Sequence, residues 1–174
     1  MIATVANSME VASMETLIGT HPSELQVEHW INSKPLTLKD LKGKVVLIRW
    51  WTAPDCPFCS ASSTALNDWY KKYRDQDFVV IGLYHHKKSS PISVEQVKNY
   101  VLNFRFEFPV AIDTSWLTLK QWWVESQKRD WTSVSFLLDR NGVIRHIHQG
   151  GSYIKGDKEY QQLEDQINLL LGQE

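Results

Sequence analysis

The stretch VVLIRWWTAPDCPFC, residues 45–59, decides which fold this chain adopts. Its first seven residues are a nearly continuous run of apolar and β-branched side chains, which is typical of a strand covered on both faces of a sheet. Both cysteines of the chain follow this run, with two residues between them. Apolar side chains then recur at helical spacing, so residues 57–75 are predicted to form a helix. Cys56 and Cys59 therefore lie where a buried strand passes into a helix.

Strands and helices alternate in the middle of the chain. The segments FVVIGLY (78–84) and FPVAID (108–113) predict two more buried strands. Between them, Ser93 and Gln96 form a capping box that starts an amphipathic helix. Residues 115–126 are a Trp-rich stretch that we also predict to be helical.

The last third of the chain predicts a β-hairpin and a closing helix. The strands are VSFLL (134–138) and VIRHIH (143–148), joined by the turn DRNG. The apolar face of the closing helix consists of Tyr160, Leu163, Ile167 and Leu170. Strands alternating with helices imply an α/β fold with a parallel sheet, to which the hairpin adds antiparallel pairing. We expect one domain over residues 15–174, preceded by a flexible arm over residues 1–14.

Composition and charge exclude several classes of function. The chain has 174 residues, of which 43% are hydrophobic and 22% charged, and its net charge is −1. This balance predicts a globular monomer with no general attraction to nucleic acid or anionic membranes. The sequence contains no run of 18 apolar residues, so we predict no transmembrane helix. The first residues do not resemble a signal peptide, so we expect a cytoplasmic protein if Met1 is the native start, and a periplasmic or other extracytoplasmic one if a signal was removed.

The cysteine spacing fits three roles: a redox pair, half of a metal site, or a structural bridge. At a helix N-terminus, free backbone N–H groups and the helix dipole favour a negative sulfur on Cys56. A thiolate is the nucleophile in disulfide exchange, and Cys59 lies one turn further on, close enough to resolve a mixed disulfide. Pro57 suits the first helical turn because it lacks an N–H group. The position therefore favours a redox pair.

Asp55 opposes this effect because its carboxylate precedes the first cysteine. If it faces water at about 4 Å, the repulsion is only ~1 kcal/mol. We therefore expect the pKa of the Cys56 thiol to be only modestly perturbed.

Three stretches together resemble the thioredoxin superfamily, in particular its TlpA/ResA-like redoxin branch, which is related to the AhpC/TSA proteins. They are LTLKDLKGKVVLIRWWTAPDCPFC, VVIGLY with the following helix and FPVAIDTSW, and FLLDRNGVI. The resemblance implies a thioredoxin-like fold with a central mixed sheet flanked by helices, an N-terminal extension, and a helical insertion between the active-site βαβ unit and the C-terminal ββα unit. It also implies thiol–disulfide exchange through Cys56 and Cys59, with a protein or small thiol substrate, a reductant or oxidant partner, a role in redox homeostasis, and no other cofactor.

The sequence departs from the family pattern beside the cysteines. The family's cis-proline position is taken by Ser133, and we expect Thr132 and Ser133 to face the cysteines with their hydroxyl groups. A buried acid or amide usually lies on the strand before the motif, and here Arg49 stands on that strand. The residues between the cysteines are Pro57 and Phe58, in place of the Gly-Pro pair of thioredoxin. Trp51 resembles the tryptophan near the family's active site and either shields the disulfide or packs in the core.

Histidines supply the remaining candidates. His85 and His86 follow the second strand at the sheet edge where Cys56 is expected, so either is a possible proton acceptor. The alternative is a solvated loop beside Lys87 and Lys88. His146 and His148 alternate along a predicted edge strand, where we expect the outer, solvated face.

Three other functions stay open from the residues alone. A thiol peroxidase of the peroxiredoxin type needs a threonine three residues before its reactive cysteine, and here Thr52 is four before Cys56. An arginine such as Arg49 or Arg145 would have to complete that site. A metal carrier would use the two cysteines with two histidines, although their spacing is unusual for zinc. A redox-inert binding module is the third possibility.

Overall fold

A computed structural model describes residues 17–125 and 129–172. The predicted arm, residues 1–14, lies outside these ranges, as does the predicted helical end at Ser126. In chain order the described elements are β1 (His29–Ile31), β2 (Val45–Trp51), α1 (Pro57–Tyr73), β3 (Phe78–Tyr84), α2 (Val94–Asn103), β4 (Val110–Ile112), α3 (Leu117–Leu119), β5 (Ser135–Leu138), β6 (Ile144–His148) and α4 (Lys158–Leu171). A π-helical turn, Lys120–Val124, follows α3 directly.

The strands form one mixed sheet in the order β1-β4-β3-β2-β5-β6. β2, β3 and β4 run parallel, whereas β1, β5 and β6 pair antiparallel to their neighbours. All seven residues of β2 are buried, because each face of the sheet carries an apolar layer. One layer receives side chains from α1, α2 and α4, and the other from the Trp-rich segment after β4. The predicted α/β fold, with its central mixed sheet and flanking helices, is confirmed.

Most predicted elements occur where the patterns placed them. β2 and β3 cover the predicted residues, α1 ends two residues earlier than expected at Tyr73, and the capping box of Ser93 and Gln96 starts α2. The four apolar residues predicted to face the core from α4 are all buried. The short strand β1 has no counterpart in the sequence prediction. Within the residues that the structure covers, no helix has both the length and the apolar character needed to cross a bilayer.

Additional backbone hydrogen bonds extend the pairing at both ends of the strand order. The N–H of Glu28 donates to the carbonyl of Ile112 and lengthens the β1–β4 ladder. At the β6 edge, Ile144 accepts from the N–H of Gly19 at 2.8 Å and donates to the carbonyl of Thr20 at 2.9 Å. The segment that precedes β1 in the chain therefore lies along the outer side of β6.

The prediction of a solvated outer face for the two β6 histidines is wrong for His148. Its side chain is buried, its ring packs against Tyr153, and its Nε2 lies 3.3 Å from a carboxylate oxygen of Glu159. Burial lowers the pKa of His148 to about 4, so the ring is neutral at physiological pH. α4 covers this part of the strand, which the alternation of residues along β6 could not reveal.

Candidate active site

A disulfide joins Cys56 and Cys59 at the junction of β2 and α1. Cys56 is the N-cap residue of α1, and Pro57 occupies the first helical turn, as predicted. The backbone N–H of Cys59 donates to Sγ of Cys56 at 3.2 Å, and the N–H of Thr52 donates to Sγ of Cys59 at 3.5 Å. Each sulfur therefore already has a backbone donor, which favours a thiolate once the bond is reduced.

The two sulfurs are both largely buried, but to different degrees. Cys56 is 8% exposed and Cys59 3% exposed. On the inner side both cysteines belong to the apolar layer that contains Trp51. The ring of Trp51 is buried and makes edge contacts with Tyr84 and with Phe106. Trp51 is therefore a core aromatic of this layer.

Asp55 faces water beside the first cysteine. Its side chain is 73% exposed and forms an ion pair with Lys88 at 2.8 Å. The same contact raises the pKa of Lys88. The preceding turn contains a cis peptide bond between Ala53 and Pro54. The geometry agrees with a weak, screened influence of the carboxylate on Cys56.

The loop before β5 brings Ser133 to the disulfide. Its Oγ lies 4.0 Å from Sγ of Cys56, and the Thr132–Ser133 peptide bond is not among the cis bonds of the described chain. The hydroxyl of Thr132 contacts His85, with its Oγ1 2.7 Å from Nε2 of that ring. Ser133 thus stands where the resemblance expects a proline ring, and Thr132 connects the loop to β3.

Tryptophans of the helical insertion hold this loop in place. Nε1 of Trp123, on the π-helical turn, donates to the carbonyl of Trp131 at 2.8 Å. Nε1 of Trp131 in turn donates to the carbonyl of Gln149. The guanidinium of Arg129 lies 4.9 Å from the ring centre of Trp131. The insertion therefore positions the loop that faces Cys56.

Arg49 is fully buried beneath this loop. Its guanidinium donates to the carbonyls of Ser133, at 3.3 Å, and Gly151, at 2.8 Å, and to the hydroxyl of Ser135 at 3.3 Å. The same group lies 5.1 Å from the ring centre of Tyr153. Burial lowers the pKa of Arg49. Within residues 17–125 and 129–172, no carboxylate pairs with it.

His85 is buried, so the solvated-loop alternative is wrong for this residue. Besides its contact with Thr132, the ring packs edge-on against Trp116, with 5.3 Å between ring centres. Desolvation, assisted by the charge of Lys87, lowers the pKa of His85 to about 3. His85 is therefore neutral at physiological pH.

The neighbouring His86 has different surroundings. It is half-buried, with Nδ1 3.0 Å from the hydroxyl of Tyr84 and Nε2 2.7 Å from the carbonyl of Ser90. These contacts do not connect it to either sulfur. The structure therefore brings His85 towards the site, through Thr132, and leaves His86 on the adjoining loop.

A groove of about 460 Å³ opens beside the disulfide. Its lining consists of Phe58, Lys87, Trp131, Thr132, Ser133, Gln149, Gly150 and Gly151. Phe58 is half exposed at its rim, directly after the first cysteine and Pro57. The groove therefore offers an apolar and polar surface next to Cys56.

Sequence reasoning missed the contribution of Gln149, Gly150 and Gly151 to this groove. A signal was present in the glycine pair that follows β6. Gly150 has φ of +157°, and a Cβ there would lie 3.2 Å from the ring of Trp131. A side chain there would be strained at this φ and would crowd the ring, so glycine suits this approach of backbone to ring. Two adjacent glycines after a strand can mark such a place.

Within the described residues, the side chains that a peroxidase site or a metal site would need are not assembled. Arg145 pairs with Asp139 at 2.7 Å. Arg49 is bound to the loop carbonyls, and Thr52 meets the second cysteine through its backbone. In the described part of the chain, no group of three metal-ligating side chains comes together.

Two cysteines three positions apart form a disulfide at the start of the helix that follows a central parallel strand, and an antiparallel hairpin lies beyond that strand. This combination defines a thioredoxin-like protein of α/β architecture. The model of the Redoxin family matches residues 31–167, and the chain belongs to this family. The TlpA/ResA-like resemblance is thereby confirmed.

Three known proteins illustrate the relationship. The chain is 31% identical over 155 residues to Protein DipZ of Mycobacterium bovis, covering 87% of this chain but only 21% of that protein. It is 31% identical over 141 residues to the thiol-disulfide oxidoreductase ResA of Bacillus thuringiensis, covering 80% of this chain and 71% of ResA. A crystal structure of a thioredoxin-like superfamily protein superposes with a TM-score of 0.72 at 25% identity, covering 88% and 97% of the two chains.

Proposed function

We propose that this protein is a thiol–disulfide oxidoreductase in which Cys56 exchanges with the substrate and Cys59 resolves. The observation that carries the proposal is the asymmetry of the pair. Cys56 caps the helix and lies 4.0 Å from the hydroxyl of Ser133, which lines the groove, whereas Cys59 is the more deeply buried of the two. The relationship to a protein named as a thiol-disulfide oxidoreductase supports the same activity.

The exchange proceeds by two displacements at sulfur. In the reduced protein, the Cys56 thiolate attacks one sulfur of a substrate disulfide, and the other substrate sulfur leaves as a thiolate that takes up a proton. Cys59, after losing its proton, attacks Sγ of Cys56 and releases the second substrate thiolate. Two electrons pass to the substrate, and the Cys56–Cys59 disulfide reforms. The reverse sequence oxidises a substrate dithiol.

The groove is the proposed binding place for the substrate segment that carries the disulfide. Its wall at Thr132 and Ser133 faces the exchanging cysteine, and Phe58 offers an apolar contact at the rim. A peptide segment or a small thiol compound would lie between this rim and Lys87. Protein substrates or low-molecular-weight thiols, together with a reductant or oxidant that recycles the pair, are thus the proposed partners.

His85 is our proposed proton acceptor for Cys59, acting across Thr132. Because its pKa is about 3, the ring would hold the proton only briefly before passing it to water. His85→Ala should displace the acidic limb of the pH–rate profile, whereas His86→Ala should leave it in place. If both variants keep the original profile, neither histidine is the acceptor.

Trapping with single-cysteine variants tests the proposed function. Cys59→Ser should accumulate a mixed disulfide on Cys56 with a substrate such as insulin, because nothing remains to resolve it. Cys56→Ser is the matched control and should trap almost none. The unmodified protein should accelerate reduction of insulin by a dithiol. Equal trapping by both variants, or turnover of hydrogen peroxide without insulin reduction, would contradict the assignment.

A further inference from the structure

Arg49 presents an electrostatic imbalance in the oxidised protein. Burying a charge is costly unless an opposite charge or a full set of hydrogen bonds compensates it. In the described ranges the guanidinium has three acceptors, all neutral, and its Nε has no hydrogen-bond partner. The compensation is therefore incomplete while both sulfurs are neutral.

The position of Arg49 relates this charge to the sulfurs. On β2 it alternates with Leu47 and Trp51, which share the apolar layer of both cysteines, so its side chain lies on the α1 side of the sheet. One of its acceptors is the carbonyl of Ser133, whose hydroxyl lies 4.0 Å from Sγ of Cys56. The cation is thus separated from the exchanging sulfur by a single residue.

A second path leads from Arg49 to the helix that carries the disulfide. The guanidinium lies over the ring of Tyr153, and the backbone N–H of Tyr153 donates to the hydroxyl of Ser62 at 3.2 Å. Ser62 stands three residues after Cys59 on α1. Arg49 therefore lies beneath the first turns of α1 as well as beneath the loop.

We infer that Arg49 is the counter-charge of the reduced site: its cation stabilises the Cys56 thiolate and makes the pair a more oxidising couple than a neutral residue at position 49 would. This rests on the proposed function and specifies how its redox equilibrium is set. Reduction places two electrons on the sulfurs, and at neutral pH one proton is taken up if Cys56 remains a thiolate. A nearby cation stabilises that product and not the neutral disulfide, so the reduction potential rises.

Three charged side chains near the start of α1 lie in water. Asp55 and Lys88 pair with each other in solvent, and Lys87 is exposed at the groove. Water and salt screen these charges, whereas a buried charge is screened much less.

The titratable groups packed around Arg49 carry no compensating charge. His85 and His148 are neutral because burial lowers the pKa of both rings. Tyr153 keeps its proton because burial raises its pKa. Arg49 is therefore a buried charge on the same side of the sheet as the disulfide.

The first experiment compares Arg49→Met with Arg49→Lys, which keeps the charge without the guanidinium fork. In a Cys59→Ser background, thiolate absorbance against pH gives the pKa of Cys56. In the two-cysteine protein, equilibration with glutathione buffers gives the redox equilibrium. Arg49→Met should raise the pKa by about one unit and shift the equilibrium about tenfold towards the disulfide, which for a two-electron couple is about 30 mV. Arg49→Lys should shift both by less than half as much.

Two results would overturn the inference. One is a pKa and a redox equilibrium in Arg49→Met that match those of the unmodified protein. The other is an equal shift in Arg49→Met and Arg49→Lys, because the guanidinium geometry and not the charge would then be responsible.

A second measurement needs no change at position 49 and decides the matter if Arg49→Met does not fold. In the Cys59→Ser protein, the pKa of Cys56 should stay nearly constant between low and high salt, because the stabilising charge is buried. The opposite result has two parts: the pKa of Cys56 rises with salt, and Lys87→Ala or Lys88→Ala raises it by the same amount at low salt. That result would assign the stabilisation of the thiolate to the surface lysines. Insulin trapping is independent of these titrations, so a failure of the proposed function is distinguishable from a failure of this inference.

Discussion

His85→Gln should make the stability of this protein less sensitive to acid. The native ring has a pKa of about 3, whereas an unfolded histidine titrates near 6.5. Below pH 6.5 the unfolded chain therefore binds a proton that the folded protein refuses, and the free energy of unfolding falls as the pH falls. Glutamine does not titrate, and its amide can still meet the hydroxyl of Thr132.

The magnitude follows from the width of this interval. Each pH unit inside it costs at most about 1.4 kcal/mol, so the contribution of His85 between pH 8 and pH 4.5 is about 3 kcal/mol. Asp113, which follows β4, acts in the opposite direction, because burial raises its pKa to about 6. The pH dependence of the unmodified protein is a sum of such terms. The difference in free energy of unfolding between His85→Gln and the unmodified protein isolates the contribution of His85.

The assay is urea unfolding followed by tryptophan fluorescence at intervals from pH 8 to pH 4.5. At pH 8 the variant should be less stable, since it loses the packing of the ring against Trp116. As the pH falls to 4.5, the stability deficit of the variant should shrink by about 3 kcal/mol, so that the two proteins approach a reversal of their order. His86→Gln accounts for effects common to removing an imidazole from this region. If the free energies of unfolding of His85→Gln and the unmodified protein change with pH in parallel, His85 is not held neutral.

Three further substitutions test the packing, all by urea unfolding. Gly82→Ala would place a Cβ 2.9 Å from Nε1 of Trp51 and should lower the stability by about 1–3 kcal/mol; unchanged stability would mean that the ring moves freely. Ser93→Ala removes the hydroxyl that caps α2 and should cost about 1 kcal/mol, and Ser93→Thr should restore most of it. Trp123→Phe removes the N–H donor to the carbonyl of Trp131 and should cost about 1–2 kcal/mol. An equal loss in Trp123→Leu and Trp123→Phe would assign the effect to that hydrogen bond and not to the ring.

The sequence predicted the sheet centre and the helix starts because these depend on local patterns. The continuous apolar run of β2 and the capping box before α2 leave few alternatives. β1 was missed because a strand of three residues, His29–Ile31, is too short to show a period. Its pairing with β4 is a long-range event that composition does not encode.

Local patterns also explain which part of the candidate site could be predicted. The cysteines, Pro57 and Asp55 are contiguous in sequence, so their roles at the helix start followed from local rules. The burial of His85 and the contacts of Arg49 depend on a loop more than forty residues away, which no spacing reveals. Position 49 was recognised as a departure from the family, but not as a buried cation bound to the loop.

The backbone pairing of Gly19 and Thr20 with Ile144 has a practical consequence for anyone shortening this protein. Those two residues form hydrogen bonds with the outward-facing N–H and carbonyl of Ile144 on β6, the edge strand of the sheet. A version that began after Thr20 would free both groups and offer a second molecule a place to add its own strand. Such a version should form intermolecular β-sheet on concentration, detectable by light scattering and infrared absorption. Truncations should therefore start before Leu17, even though this segment lies far from the cysteines in sequence.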